Sequence, residues 1–196
     1  MRNVLIALGV IGLLVFLIFQ WGIGINNQII EKEGLTLAQW ANVESSYQRR
    51  ADLIPNLVAT VKGYAEHEQE TLEGVIKARS EATKTIIDPS NITEEQMAQF
   101  QQAQQGLSGA LSRLLVTVER YPDLKANQNF LELQAQLEGT ENRINVERNR
   151  YNELAGAYKI FISKFPTSII AGFINKKELP LYKSAEGSDV APKVEF

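Results

Sequence analysis

Apolar and polar positions divide this chain into one uninterrupted apolar stretch and three long stripes of helical period. From Val4 to Phe19 every residue is apolar or glycine, and Gln20, Trp21 and a few small residues carry the stretch on to Ile25. Those 25 − 4 + 1 = 22 residues would span about 33 Å as a helix, enough for a hydrocarbon core of about 30 Å. The pattern predicts a membrane-spanning helix with Trp21 in the interfacial belt. A cleaved signal peptide competes, but its apolar core is usually about 7–15 residues long, and Phe19-Gln20-Trp21 is the wrong chemistry for a small-x-small cleavage site. Arg2 and the terminal amine precede the span, and only Lys32 follows it closely, beside Glu31, Glu33 and Glu44. Counted in cations, this leans towards an inner (cytoplasmic) amino-terminus and an extracytoplasmic body.

From Asn27 to about Ile87 the chain reads as one very long or once-broken helix. Its inward positions are Trp40, Val43 or Glu44, Tyr47, Ala51, Ile54, Val58, Val61, Ala65, Glu68, Leu72 and Val75, close to the 3.5-residue repeat of helices that coil about one another. Pro55 lies inside this stripe and, lacking an N–H, is expected to bend or interrupt it. Asp88-Pro89-Ser90-Asn91 stops the run, and Thr93 followed by Glu94-Glu95-Gln96 forms a candidate capping box for the next helix. That helix, about Ile92–Arg120, carries Phe100, Gln104, Leu107, Leu111, Leu114, Val118 and Tyr121. It has a glutamine-rich outer face (Gln99, Gln101, Gln102, Gln105), and Gly106 and Gly109 would permit close approach of a neighbour. A third helix, about Lys125–Phe165, steps by three and four through Phe130, Leu133, Leu137, Thr140, Ile144, Glu147, Tyr151, Leu154, Tyr158, Phe161 and Phe165. A short helix over Thr167–Lys176 and an extended or disordered tail, 177–196, follow.

The expected fold is therefore all-α: an amino-terminal transmembrane helix (1–25), then an antiparallel up-and-down bundle of three long helices plus a short fourth (26–176), then the tail. Because the first body helix is read as more than twice as long as the second, part of its stripe lacks an intrachain partner unless the third helix supplies it, and homo-oligomers in the membrane are expected.

Composition narrows function by exclusion. Lys and Arg number 20 against 23 Asp and Glu, a net charge of −3, so no basic field attracts nucleic acid. The chain has no cysteine, which rules out disulfides and thiol chemistry. A di-iron bundle site wants two Glu-x-x-His pairs, but the only histidine is His67, and Tyr64 stands three residues before it. Zinc would have to rely on Glu66, His67 and Glu68, which point in different directions on a helix. No Gly-x-Ser-x-Gly turn or phosphate-cradling loop is present, so no cofactor is expected. The rival is an envelope-associated hydrolase using bundle carboxylates such as Glu68 and Glu147.

One set of polar residues stands out: Arg49, Arg50, Asp52, Glu68, Arg79, Glu141, Arg143, Glu147 and Arg148. A carboxylate on a buried stripe, as Glu147 is, needs a partner, and Arg49, Arg50, Arg79 or Arg148 could supply it. An interhelical network that fixes register is the favoured reading. A polar groove for a partner peptide or protein is the alternative.

The segments Arg49-Arg50-Ala51-Asp52-Leu53-Ile54-Pro55-Asn56-Leu57-Val58, Val61–Glu68, Glu119-Arg120-Tyr121-Pro122-Asp123-Leu124-Lys125-Ala126-Asn127, and Gly139-Thr140-Glu141-Asn142-Arg143-Ile144 with Arg148 and Tyr151-Asn152 resemble the LemA family of bacterial membrane-anchored proteins. The ending Pro192-Lys193-Val194-Glu195-Phe196 is similar to that family's too, while Lys159 departs from it. The resemblance implies a single amino-terminal span, an up-and-down helical bundle, and no established catalytic residue or cofactor. It also implies an outward-facing amino-terminus, opposite to the cation count. The functional expectation is a membrane-anchored scaffold or adaptor of the bacterial cell membrane, held in the bilayer by residues 4–25 and meeting an unidentified membrane or envelope protein.

Overall fold

The apolar amino-terminal stretch and the first body stripe form one continuous helix. The computed structural model describes residues 2–65, 67–85 and 87–183, the side chain of Ser90 excepted. In it α1 runs from Arg2 to Lys62. Among the described residues nothing covers its most apolar stretch, which is also the one candidate membrane span there. From Ile25 onward the same helix has a buried face: Ile29, Trp40, Val43, Tyr47, Ala51, Ile54, Leu57 and Val61. Then come α2 (Gln69–Lys84), a 3₁₀ turn at Pro89–Asn91, α3 (Glu94–Val118), α4 (Pro122–Lys125), α5 (Gln128–Ser163) and α6 (Thr167–Phe173). The described residues contain no strand.

Of the two readings of residues 27–87, the broken one is realised. The break falls at the turn between Lys62 and Gln69, and α2 folds back to pack on both α1 and α3. α1 pairs with α5, so the half of the body far from the span is a four-helix up-and-down bundle. Its core joins Ile54, Leu57 and Val61 of α1 to Leu72 and Val75 of α2, Leu107 and Leu114 of α3, and Leu124 and Phe130. A middle core gathers Trp40, Val43 and Tyr47 with Phe100, Ile144 and Tyr151. Nearest the span, Ile25 and Ile29 meet Tyr158, Ile162 and Ala171. Because α5 and α2 cover the stripe of α1, the stripe from which self-association was expected is partnered within the chain.

Pro55 does not interrupt α1, which continues two turns beyond it. A proline at 55 leaves the carbonyl of Ala51 without its usual i+4 donor. That carbonyl lies on a buried residue and would be costly to leave unpaired. Arg79 of α2 supplies the missing bond, its Nε donating to Ala51 O at 2.7 Å. The helix therefore passes through its proline because the folded-back α2 meets the need.

The next element starts as expected. Thr93 Oγ1 accepts from the Gln96 N–H at 3.2 Å while Gln96 Oε1 accepts from the Thr93 N–H at 3.1 Å, a complete capping box. Gly106 and Gly109 are exposed, and no neighbour approaches either, so close backbone packing is not their use. On α5 the expected stripe holds from Phe130 to Tyr151, with Leu133 and Leu137 only half-buried, and then slips. Ala155, Tyr158 and Ile162 are buried, Leu154 and Phe161 are half-buried, and Phe165 is exposed. A straight helix drifts by about 20° per heptad against a 3.5 repeat. Near the span, where α5 leaves the four-helix section, the buried face follows that drift.

A double-mutant cycle in detergent tests the Pro55–Arg79 account. Arg79→Ala alone should cost about 1–3 kcal/mol through the unpaired carbonyl. In a Pro55→Ala background, where residue 55 again offers an N–H to Ala51, the same change should cost clearly less. Equal costs in both backgrounds would show that Arg79 does not serve that carbonyl.

Candidate functional site

Arg50 lies at the junction of the distal and middle cores. It is only 3% exposed, because it occupies the buried side of α1 one residue before Ala51 and four before Ile54. Its Nη1 donates to Ser108 Oγ at 2.9 Å and to Glu141 Oε2 at 2.7 Å. Its Nη2 donates to Gln104 Oε1 at 2.7 Å and to the Gln104 carbonyl at 3.3 Å. The Tyr47 ring lies beneath the guanidinium, 5.1 Å from its centroid to Cζ. Gln104 in turn donates through Nε2 to the carbonyl of Ala82 at 3.2 Å. One guanidinium and one amide thus connect α1, α3 and α5 directly, and α2 through Ala82. Arginine suits this position because its planar fork offers several fixed donors.

The other candidates divide into separate roles. Arg49, the immediate neighbour, is exposed and takes no part in the Arg50 cluster. Asp52 is exposed as well and accepts from Gln48 Nε2 at 2.8 Å, not from Arg49. Glu147 is buried, but none of the four arginines expected to serve it does so. Its Oε2 accepts from Gln39 Nε2 at 2.7 Å, and Arg143 Nε stands 3.7 Å from Oε1. The reason is prior commitment: Arg50 is spent on Glu141 and Gln104, Arg79 on Ala51, and Arg148 lies over the Tyr182 ring at 4.7 Å. Thr140, the other polar position on the α5 stripe, donates to the Gln136 carbonyl in its own helix at 2.7 Å.

Glu68 sits at the far end of the bundle, where it accepts from Arg120 Nη2 at 3.1 Å and from the Tyr121 hydroxyl at 2.9 Å. Beside it Asn127 caps α5, its Oδ1 accepting from the Phe130 N–H at 3.1 Å, while its Nδ2 donates to the Tyr64 hydroxyl at 2.8 Å. The α1–α2 and α3–α5 connections therefore close on each other. Gln39, the partner of Glu147, lies 62 − 39 = 23 residues before the end of α1, about 35 Å along a helix. Glu68 at the distal end and Glu147 beside the middle core are thus well separated along the bundle and cannot work as a catalytic pair. Among the described residues no group of His, Asp and Glu is placed to hold a metal ion, and Glu66, one of the three expected zinc candidates, lies outside the described residues.

The tail was the least legible segment, and residues 177–183 turn out to be docked. Tyr182 is buried, stacked on Trp40 with ring centroids 5.8 Å apart and edge-on to Tyr151 at 5.7 Å. Asn152 brackets its backbone: the Tyr182 N–H donates to Oδ1 at 2.9 Å, and Nδ2 donates to the Tyr182 carbonyl at 3.1 Å. The Tyr151 hydroxyl donates to the Pro180 carbonyl at 2.9 Å. Burial pushes the Tyr151 and Tyr182 hydroxyls well above the usual phenol range. The adjacent Tyr151-Asn152 pair was the available signal, but nothing in it names Tyr182. The ending Pro192–Phe196 lies outside the described residues. Glu44, half-buried at the edge of this aromatic core, has its carboxyl pushed up by burial.

Fold and site define a class: a candidate membrane span continued directly into a helical bundle in which buried Arg50, Gln104 and Glu147 are bonded across helices. The chain belongs to the LemA family, whose profile matches residues 39–196. It is 21% identical over 164 residues to Protein LemA of Metamycoplasma hominis, covering 84% of this chain and 71% of that protein. It is 26% identical to magnetosome protein MamQ 2 of Paramagnetospirillum magneticum, over 79% of this chain and 63% of the relative. Magnetosome protein MamQ of Magnetospirillum gryphiswaldense is 24% identical, over 78% and 62%. The chain spans less than two thirds of either MamQ protein. With its apolar amino-terminal helix, the protein is membrane-associated and of a family not known for catalysis.

Two measurements follow from this geometry. Arg50→Ala should cost about 1–3 kcal/mol, because it leaves the Gln104 and Ser108 acceptors without their donor, while Arg49→Ala next to it stays within about 0.5 kcal/mol. Denaturant melts in detergent would decide, and similar costs for the two would sink the network. Glu44 binds its proton more tightly folded than unfolded, so its contribution is fully present below the unfolded carboxyl pKa and is lost as pH rises through the folded one. Glu44→Gln should therefore raise the melting temperature at pH 7, with the gain vanishing in acid. A gain that persists at low pH would contradict this.

Proposed function

We propose that this protein is a non-catalytic scaffold of the bacterial inner membrane, anchored by residues 1–25 and presenting the bundle, 26–176, with the start of the tail docked on it. The observation that carries the reading is the continuity of α1. From Ile25 to Lys62 the helix runs 62 − 25 + 1 = 38 residues without a break, about 57 Å at about 1.5 Å each. A lever of that length couples the distal end of the bundle to the bilayer. Polar residues that could have formed a site serve instead to fix the helices against one another, which supports the structural reading of the Arg50 network. Its outer surface, including Gln99, Gln102 and Gln105 on α3, is left for a protein partner.

We place the bundle on the extracytoplasmic side, on the cation count around the span. Self-association keeps only the lipid-facing span as its surface, since the body stripe is covered within the chain.

Both parts of the proposal can be tested in cells. Because the chain has no cysteine, Gln102→Cys introduces a single thiol. A membrane-impermeant maleimide should label it in intact cells, and labelling only after lysis would reverse the orientation. A photocrosslinking residue at 102 should yield a discrete protein adduct that survives Arg49→Ala and is lost in Arg50→Ala. Absence of any protein adduct from 102 and from other outer positions of α3 would refute the scaffold.

A further inference from the structure

The short helix α6 is held against the membrane end of α1. Its inner face, Thr167, Ile170 and Ala171, packs on the core that contains Ile25, Ile29, Tyr158 and Ile162. Ile170 Cδ1 lies 3.9 Å from where a Cβ on Gly22 would stand. Gly22 adjoins Trp21 inside the span predicted to end at Ile25, so α6 sits at the level where hydrocarbon gives way to headgroups. The helix is fixed there from its other end as well. Asn175 adopts a left-handed conformation, φ 54°, the Lys176 N–H donates to the Ala171 carbonyl at 2.9 Å, and the Asn175 N–H donates to the Gly172 carbonyl at 3.2 Å. This is a Schellman ending. Lys176 Nζ then meets Glu33 Oε2 of α1 at 2.5 Å.

The opposite face is apolar and bare. Ile169 and Phe173, four apart on one side of α6, are 52% and 87% exposed, and Phe165 in the turn entering the helix is 82% exposed. Two large aromatic rings so exposed in one short segment are costly in water. Lys164 and Lys177, both exposed, flank this face with cations, while the nearby carboxylates Glu33 and Glu178 are each paired with a lysine. An apolar face bordered by cations at headgroup level is the pattern of a segment lying in a bilayer interface.

We propose that Phe165, Ile169 and Phe173 form a second membrane contact, inserted into the interfacial layer of the same bilayer that α1 crosses. The occupant of this face is lipid, because α6 packs at Gly22 on the end of the span, beside the exposed Trp21 and Ile23 of α1. Two attachments, one spanning and one interfacial, fix the rotation of α1 about its axis and so determine which side of the bundle faces along the membrane. The proposal rests on the reading of residues 4–25 as a span.

Full-length protein carrying a nitroxide at Phe173→Cys, and separately at Ile169→Cys, is reconstituted in vesicles of phosphatidylcholine and phosphatidylglycerol. Collision with oxygen and with a water-soluble nickel chelate reports depth. The expected result is a label about 5–10 Å into the headgroup and acyl boundary, with helicity and melting unchanged from the parent. Two reference labels separate the possible failures: Val10→Cys should read as mid-bilayer, and Glu132→Cys on exposed α5 should read as water. If 169 and 173 match the water reference while Val10 is in lipid, this proposal falls and the span stands. If Val10 also reads as water, the span itself falls. A label at 173 screened from both oxygen and nickel means that a protein segment or a second copy covers the face, which overturns the proposal too.

Discussion

The body is arranged about a buried cation, Arg50. Removing the Arg50 guanidinium from water costs several kcal/mol, and only the arrangement in which Gln104, Ser108 and Glu141 converge on it restores that loss. Charge-assisted bonds of this kind contribute about 1.5–3 kcal/mol each, so they are collectively large enough to offset the desolvation. Apolar stripes alone would let α1, α3 and α5 slide past one another by a turn at small cost, because leucine fits many holes. A guanidinium with fixed donor directions does not. Polar geometry is thus what we propose fixes register along the bundle axis, while the apolar cores lie on either side of it.

The second organising feature is the return of α2. Proline in a helix usually leaves a carbonyl for water, and here the carbonyl of Ala51 faces the place where α2 must pack. Arg79 meets it, so the irregularity in α1 becomes a recognition point for the helix that covers it. Pro55 and Arg79 are 24 residues apart in sequence (79 − 55) and adjacent in space only if the chain reverses between them. The same reversal removes the bare stripe that an unbroken helix would have exposed, and with it the strongest reason for the body to self-associate.

These features fit a protein whose business is position. The span passes into the body without a hinge, the tail from Leu179 to Tyr182 is packed into the middle core, and the distal connections are closed by Glu68, Tyr121 and Asn127. Glu68 and Glu147, the carboxylates that a catalytic reading would recruit, are each held by a partner from another element. The LemA-family profile begins at Gln39, the residue that serves Glu147, so the matched region covers the polar network and excludes the span.

Most of the helical pattern was legible in the sequence. The apolar run of residues 4–25 measures its own membrane, the Thr93–Gln96 box marks its own helix start, and the α5 stripe declares a buried face through to Tyr151. These are local signals, set by chain geometry within a turn or two. The tertiary structure alone decided where α1 ends, because Pro55 carries a breaker's chemistry and only a distant arginine cancels it. It alone chose Gln39 over four arginines as the partner of Glu147, since Arg50, Arg79 and Arg148 were already committed elsewhere and Arg49 faces solvent. It also docked Tyr182 against Trp40 and Asn152, a contact between segments separated by most of the body. Sequence periodicity reports which face of a helix is buried. Which polar group meets which across the core depends on every helix being in place at once.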